Sequence, residues 1–418
     1  MEKQTNIPPL RFPEFNGAWE KKKLGEVATF SKGKGISKID IIESGKTECI
    51  RYGELYTVYG ETINEIKSRT NIELKKLVLS EANDVIIPAS GETQIDIATA
   101  SCVMKSGIAL GGDLNIIKTK NNGVFLSYFL NSAKKNDIAN LAQGISVVHL
   151  YASQLSLLNL SFPTLSEQTK IATFLTAVDE KIQALKKKHS LLEQYKKGVM
   201  QKIFTLSESG LAGLKDEQDV DEINPQILKS SKSRFRQLRF KDENGNDFPD
   251  WEMKKLGEVA KKITTGKLDA NAMVENGEYR FYTCAKDFYR IDKYAFDTEA
   301  LLISGNGANV GYIHYYKGKF NAYQRTYVLD GFNDNIIYIK YYLDKFLYER
   351  INFEKKEGNT PYIVLSTLSE MEVSIPCIAE QTAIANFLSA LDEKINHTQQ
   401  QIEKTETWKK GLLQKMFV

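Results

Sequence analysis

With 418 residues, 42% of them hydrophobic and 26% charged, the chain is too long for one ordinary core and has the composition of about two to four soluble globular domains. Its formal net charge of +3 excludes a globally cationic nucleic-acid binder, so any such surface has to be local. No stretch of about 18 apolar residues occurs and the start MEKQTNIPPLRF lacks the apolar core of a secretory signal, so a cytoplasmic protein is expected; Cys49, Cys102, Cys284 and Cys377 stand far apart without a C-x-x-C pair, which speaks against a disulfide framework or a zinc site.

Taken in chain order, the first marks are LRF at 10–12 and WEKKKLGEVA at 19–28. FSKGKGIS at 30–37 then reads as a lysine-bearing glycine turn, and NDVIIPASGETQ at 83–94 as an apolar strand running into a polar, glycine-containing loop. QGISVVHL at 143–150 is a second polar loop, placed just before a long helical pattern. That pattern begins after Pro163 with EQTKIATFLTAVDEKI at 167–182 and ends in YKKGVMQKIF at 195–204.

The same series then returns. LRF recurs at 238–240 and WEMKKLGEVA at 251–260, followed by the glycine turn TTGKLDAN at 264–271 and a strand-and-loop pattern, TEALLISGNGAN, at 298–309. EGNTPYIVL at 357–365 leads into EQTAIANFLSALDEKI at 380–395, which keeps twelve of the sixteen residues of its first copy, and WKKGLLQKMF closes the series at 408–417. Between these marks, residues 29–143 and 261–357 have little in common. The chain is therefore an internal repeat of shared lead-in, private globule and shared helix.

In alternating steps of four and three, Ile171, Leu175, Val178, Ile182, Leu185, His189, Leu192, Lys196, Val199 and Ile203 put eight apolar side chains in ten on one stripe. Ile384, Leu388, Leu391, Ile395, Thr398, Ile402, Thr405, Lys409, Leu412 and Met416 put seven in ten on the other. This is coiled-coil spacing. At the two lysines the stripe is expected to slip to Tyr195 and Trp408, as a straight helix drifts against a seven-residue repeat. Glu167 and Glu380 suit the positive helix start, Ser166 is a candidate cap for the first copy alone, and Gly198 and Gly411 suggest close approach of another backbone or a break. A helix of about 38 residues, roughly 57 Å, leaves its stripe wet unless something covers it.

The nearest complementary stripe is the other copy, and an approximate two-fold relation between the halves makes the pair antiparallel. Pairing with a twin in a second chain, or packing on its own globule, are the alternatives. The expected fold is α+β: two mixed α/β globules separated by an antiparallel pair of long helices, an intramolecular coiled coil with a pseudo-two-fold internal repeat. The domains run 1–163, 164–204 (first shared helix), 205–237, 238–376 and 377–418 (second shared helix). Residues 205–237, acidic from Asp216 to Glu222 and basic from Lys229 onward, read as a flexible linker; KSSKSRFRQLRFK at its end is a possible phosphate contact.

LRFPEFNGAWEKKKLGEVA, the P-x-x-x-EQ-x-x-IA-x-FL junction and the ending KKGLLQKMF resemble the DNA-specificity subunit of Type I restriction and modification systems, over nearly the whole chain. The resemblance implies that the private globules are target-recognition domains, each reading half of a split double-stranded DNA site, with the helices as spacer. It also implies a chain that is not a catalyst and binds no cofactor or metal of its own. Its partners are then two methylase subunits carrying S-adenosylmethionine and, through them, motor-nuclease subunits using ATP with Mg. The stripe residues Ile171, Leu175, Val178, Ile182, Tyr195, Ile384, Leu388, Leu391, Ile395 and Trp408 are the expected spacer and docking residues.

On that reading Lys32, Lys34 and Lys267 suit phosphate contact. Ser90, Thr93, Gln94, Asn306 and Asn309 can hydrogen-bond base edges, as can Gln324 and Arg325 in YQRTY at 323–327. His149, Asn359 and Tyr362 lie on loops that could carry them to the duplex. His149 and His314 lack metal-ligand spacing, and Tyr338, Tyr341 and Tyr342 have helical periodicity and are expected to pack under a sheet.

Sequence gives no catalytic motif. NPQI at 224–227 is the nearest approach to the adenine-methylase N-P-P-[FY] and lacks its second proline and aromatic residue; SGKT at 44–47 lacks the earlier glycine of a phosphate loop, where Asp40 stands. PDWEMK at 249–254 crowds its acids too closely for a nuclease, and GNGANVG at 305–311 has Val310 where a third glycine belongs. A second reading, a tandem coiled-coil protein-binding scaffold without DNA specificity, draws on the weak basicity.

Overall fold

The computed structural model describes residues 6–144, 147–204, 238–354 and 361–418; the expected linker at 205–237 and Asn359 lie outside them. The chain folds as two compact units, Met1–Lys187 with Gln399–Val418, and Lys188–Thr398. Both shared helices, Leu165–Ile203 and Ile378–Met416, are divided between the units, so each unit holds one globule, the start of the helix that follows it, and the end of the other helix.

In each unit the lead-in strand closes on the strand just ahead of the helix. Glu20–Lys23 pairs antiparallel with Asn159–Phe162, and Glu252–Lys255 with Glu372–Ile375. The globule between is thus a large excursion with both its ends tied together. Its core sheet has the same frame twice despite unrelated sequence. In the first unit Ala28–Lys32, Leu114–Thr119 and Asp84–Pro88 are antiparallel neighbours in that order; in the second the order is Ala260–Thr265, Thr326–Phe332 and Phe296–Ser304. Outside this frame the globules diverge. The first adds two short strands and a separate four-stranded sheet, the second a run of three more strands that completes six.

The fold of the helices follows their stripes. Ile171, Leu175, Val178 and Ile182 share a buried cluster with Leu412 and Met416 from the other helix and with Trp19, Phe125 and Phe129 from the globule. Ile384, Leu388 and Leu391 share the second cluster with Val199, Ile203, Tyr338 and Tyr342. In the first unit Asp179 meets Lys409 and Lys186 meets Glu406, both at 2.7 Å, which fixes an antiparallel course. Lys196 meets Asp392 at 2.5 Å in the second, the image of the first contact 213 residues on. Each fully buried aliphatic side chain on such a stripe contributes about 1.5–3 kcal/mol.

Three expectations about the helices are corrected. The stripe does not slip: Tyr195 and Trp408 are 54% and 48% exposed, because the lysines that follow them, Lys196 and Lys409, stay on the seam and are neutralised there. Burial alone would lower the Lys409 ammonium, but Glu61 and Asp179 more than offset it and hold it raised; the Tyr128 hydroxyl donates to Asp179 at 2.5 Å, as Tyr341 does to Asp392 at 2.6 Å. Gly198 and Gly411 mark neither a close approach nor a break, since both helices run on past them and nothing lies within 4 Å of an added Cβ. Ser166 is inside the helix, and the Thr164 hydroxyl accepts from the Glu167 amide instead, at 3.4 Å.

The shared glutamates do more than meet a helix start. Arg11 donates twice to Glu167, both bonds 2.7 Å, and Arg239 twice to Glu380, at 2.8 and 2.9 Å. The indole N–H of Trp19 or Trp251 completes each site, at 3.3 and 2.9 Å. The glutamates are fully buried, and a planar guanidinium bound through two parallel bonds is the partner that suits a desolvated carboxylate. LRF, WE and EQ recur together because they build one lock, and Arg239 is thereby withdrawn from phosphate contact. Phe417 and Phe204 finish the two helices inside aromatic clusters, with Phe125 and Phe129 in one case and Tyr338 and Tyr342 in the other. No helix among the described residues is long and apolar enough to cross a membrane.

Candidate nucleic-acid interface

The loops at one end of each repeated three-stranded frame gather most of the residues singled out above. In the second unit the strand Phe296–Ser304 runs out into Gly305, whose N–H donates to Arg325 O at 2.8 Å and whose carbonyl accepts from Ile363 N–H at 2.8 Å. No side chain fits at Gly305: a Cβ would stand 2.4 Å from that Arg325 carbonyl. Three segments distant in sequence are stitched side by side, and between them opens a cleft of about 760 Å³ lined by Asn306, Gln324, Arg325 and Tyr362, with Thr265 and Tyr327 on its walls.

The polar groups in the cleft are held in place by hydrogen bonds between its walls. The Tyr327 hydroxyl donates to Ile363 O at 3.0 Å, and burial pushes its pKa up, so it stays a neutral donor. Asn306 Oδ1 accepts from Cys284 at 3.2 Å and Asn309 Nδ2 donates to Cys284 O at 3.0 Å; both asparagines hold the neighbouring loop. Gln324 Nε2 donates to Asp269 at 2.6 Å, and its Oε1 has no hydrogen bond among the described residues. Arg325 and Lys267 are exposed, and neither has a side-chain hydrogen bond or an acidic partner among the described residues. His314 is held between Tyr282 and Tyr312, its Nε2 3.0 Å from Ala285 O, and burial lowers its pKa. Tyr338, Tyr341 and Tyr342 are buried on the helix Ile336–Glu354, as their spacing predicted.

The first unit repeats the arrangement with other side chains. Ser90 pairs with His149 across a short ladder, and Ala89 O accepts from Leu150 N–H at 2.9 Å. The His149 ring stacks on Tyr151 at 6.3 Å, and the Lys32 ammonium lies 5.9 Å from the Tyr151 ring. Lys32, Lys34 and His149 are exposed, whereas Ser90 is buried. Thr93 caps the short helix Gln94–Ile97, accepting from Asp96 N, and Gln94 Nε2 is 3.5 Å from Ala142 O. Lys32, Ser90 and His149 are thus brought together, while Thr93 serves the turn beside them.

Sequence reading overlooked Tyr151, Asp113, Thr265 and Tyr327. Tyr151 was legible as an aromatic residue two places beyond a loop histidine, and Asp113 as an acid after the Gly111-Gly112 pair. Thr265 and Tyr327 lie inside TTGKLDAN and YQRTY, but nothing in the sequence set either apart from its neighbours.

The chain matches the family model for the Type I restriction modification DNA specificity domain over residues 16–194 and again over 249–407. It is 39% identical over 162 residues to the Type I restriction enzyme EcoDI specificity subunit of Escherichia coli, a match that spans 37% of this chain and only 34% of that one. It is 25% identical to the MjaVIII specificity subunit of Methanocaldococcus jannaschii across 97% of this chain and 92% of the relative. Its fold is similar to the crystal structure of a Type I restriction-modification system S subunit from M. genitalium, with a TM-score of 0.65, 19% identity and 99% of both chains covered.

Proposed function

Because this chain belongs to the Type I restriction modification DNA specificity domain family, we propose that it is the DNA-specificity subunit of a Type I restriction-modification complex and reads a two-part site in double-stranded DNA, one half with each globule. The observation that carries this reading is the repeated frame with unlike loops. The same three strands present the same loop ends twice, with lysine kept on the early glycine turn and different polar groups elsewhere. Phosphate contacts position a protein on any duplex, and base contacts specify; a shared cation beside private donors and acceptors fits that division.

The chain does no chemistry of its own on this reading. Methylation belongs to two methylase subunits that bind S-adenosylmethionine, and translocation and cleavage to motor-nuclease subunits using ATP with Mg, all in the cytoplasm. The outward faces of the helices, with Tyr195 and Trp408, supply docking surface. A globule reading three or four base pairs discriminates too weakly alone, since each mismatch costs only about 1–3 kcal/mol, so two readers at a fixed separation are needed.

The test is co-expression with the cognate methylase, genome-wide mapping of methylated adenine, and binding to cognate and random duplexes across a salt series. A two-part motif with a constant gap is expected, together with sequence-selective affinity that falls steeply with salt. Equal binding of both duplexes and no motif would favour a protein-binding scaffold.

A further inference from the structure

Backbone hydrogen bonds turn the segment-by-segment likeness of the two globules, legible in sequence, into a residue-by-residue correspondence. Gly33 N–H donates to Leu114 O at 3.0 Å, and Gly266 N–H to Thr326 O at 3.2 Å. Both glycines are forced, because a Cβ would stand 1.9 Å from Gly111 O in one globule and 1.8 Å from Ala322 O in the other. Ala89 N–H donates to Asp113 O at 2.7 Å, and Gly305 N–H to Arg325 O at 2.8 Å. The late loops return in step, Leu150 N–H to Ala89 O and Ile363 N–H to Gly305 O. Lys34 therefore corresponds to Lys267, His149 to Tyr362, and Asp113 to Arg325.

The first of these pairs keeps its charge and the last reverses it. Asp113 is exposed and sits at φ +57°, and among the described residues its carboxylate has neither a hydrogen-bond nor an ion-pair partner. Aspartate tolerates the left-handed backbone and glycine adopts it at no steric cost, so the turn permits this carboxylate without requiring it. A bare carboxylate one ladder step from a phosphate-facing turn is repelled by a DNA backbone. It is useful there only as an acceptor for an amino group on a base edge. Arg325, equally unpartnered, is the complementary donor.

We propose that this position is a base-reading site in both globules: Asp113 accepts from the N4 amino group of a cytosine in the first half-site, and Arg325 donates to O6 and N7 of a guanine in the second, the pairings that side-chain geometry favours in the major groove. The assignment rests on the reading of the chain as a DNA-specificity subunit. Lys34 and Lys267 take phosphates in both halves.

The test maps methylated adenines in cells carrying the methylase with the full wild-type chain or with Asp113→Gly, Asp113→Asn, Arg325→Ala or Lys34→Ala. Asp113→Gly keeps the left-handed turn. It is expected to relax one cytosine position of the first half-site, with discrimination falling roughly 10- to 100-fold, while the second half and the gap stay fixed. Arg325→Ala relaxes one guanine of the second half only, and Lys34→Ala lowers overall methylation without altering the motif. An unchanged motif in Asp113→Gly and Asp113→Asn overturns the assignment, and so does total loss in both, because base reading predicts relaxation rather than abolition. If the wild-type chain itself directs no two-part motif, it is the underlying function that fails.

Discussion

His314 shows how a residue without ligand spacing can still shape the site. Its ring, between Tyr282 and Tyr312, holds Ala285 and so the loop whose Cys284 is bound by Asn306 and Asn309. Burial lowers its pKa from 6.5, with the Ala285 carbonyl and Asp287 opposing. The unfolded chain therefore takes up a proton at a higher pH than the folded one, and stability that is full above the ordinary histidine value is lost as pH falls below it. Between about pH 7.5 and about pH 5.5 the melting temperature should drop more for the wild type than for His314→Gln, which retains a donor for Ala285 but does not titrate. Parallel pH profiles would show that the ring carries no such linkage. At this scale the sequence was an uneven guide: the lysines beside glycine stood out, since such cations suit phosphate contact, but the roles of Asn306 and Asn309 depend on Cys284, more than twenty residues away, and Thr93 turned out to cap the short helix that follows it.

The helices were the most legible elements, because a period of alternating four and three residues is a local property that tertiary context does not rewrite. What local reading missed was charge across the seam. Lys196 and Lys409 look like breaks in an apolar stripe until Asp392 and Asp179 are seen opposite them, each carboxylate also accepting from a tyrosine. A polar pair at one seam position fixes register at some expense of stability. Lys196→Met leaves the Asp392 carboxylate with the Tyr341 hydroxyl alone; full burial would make that cost about 3–5 kcal/mol, and with Asp392 about a third exposed an effect of about 1 kcal/mol in denaturant unfolding is expected. Combining Lys196→Asp with Asp392→Lys should recover most of the loss of Lys196→Asp alone. If the double variant is no more stable than the sum of its single changes, the pair does not set register. Gly198 and Gly411 remain in helix interiors at about 1 kcal/mol each relative to alanine, and nothing in either unit explains them.

For the whole molecule, the repeat was visible in sequence, and so was one equivalent pair of strands, in 83–94 and 298–309, which the frames place alike; the other two strands of the shared frame were not, because strands are specified by burial against whatever covers them rather than by a fixed code. That difference decides how recognition can be exchanged. Residues 29–160 form the first globule, and replacing them with another globule should change the first half of the methylation motif alone. The graft is not free of the rest of the chain, however. Phe125 and Phe129 receive Phe417, Tyr128 binds Asp179, and Glu61 lies 3.2 Å from Lys409. These contacts tie the globule to both shared helices, and the second unit meets the same demand with Tyr338 and Tyr342 around Phe204 and with Tyr341 on Asp392. A donor globule that supplies an aromatic seat for Phe417 and a tyrosine for Asp179 should fold and redirect one half-site with the gap unchanged. One that lacks them should give little folded protein, measured by thermal unfolding, whatever its loops can read. A folded chimera with both halves of its motif altered would contradict independent reading by the two globules.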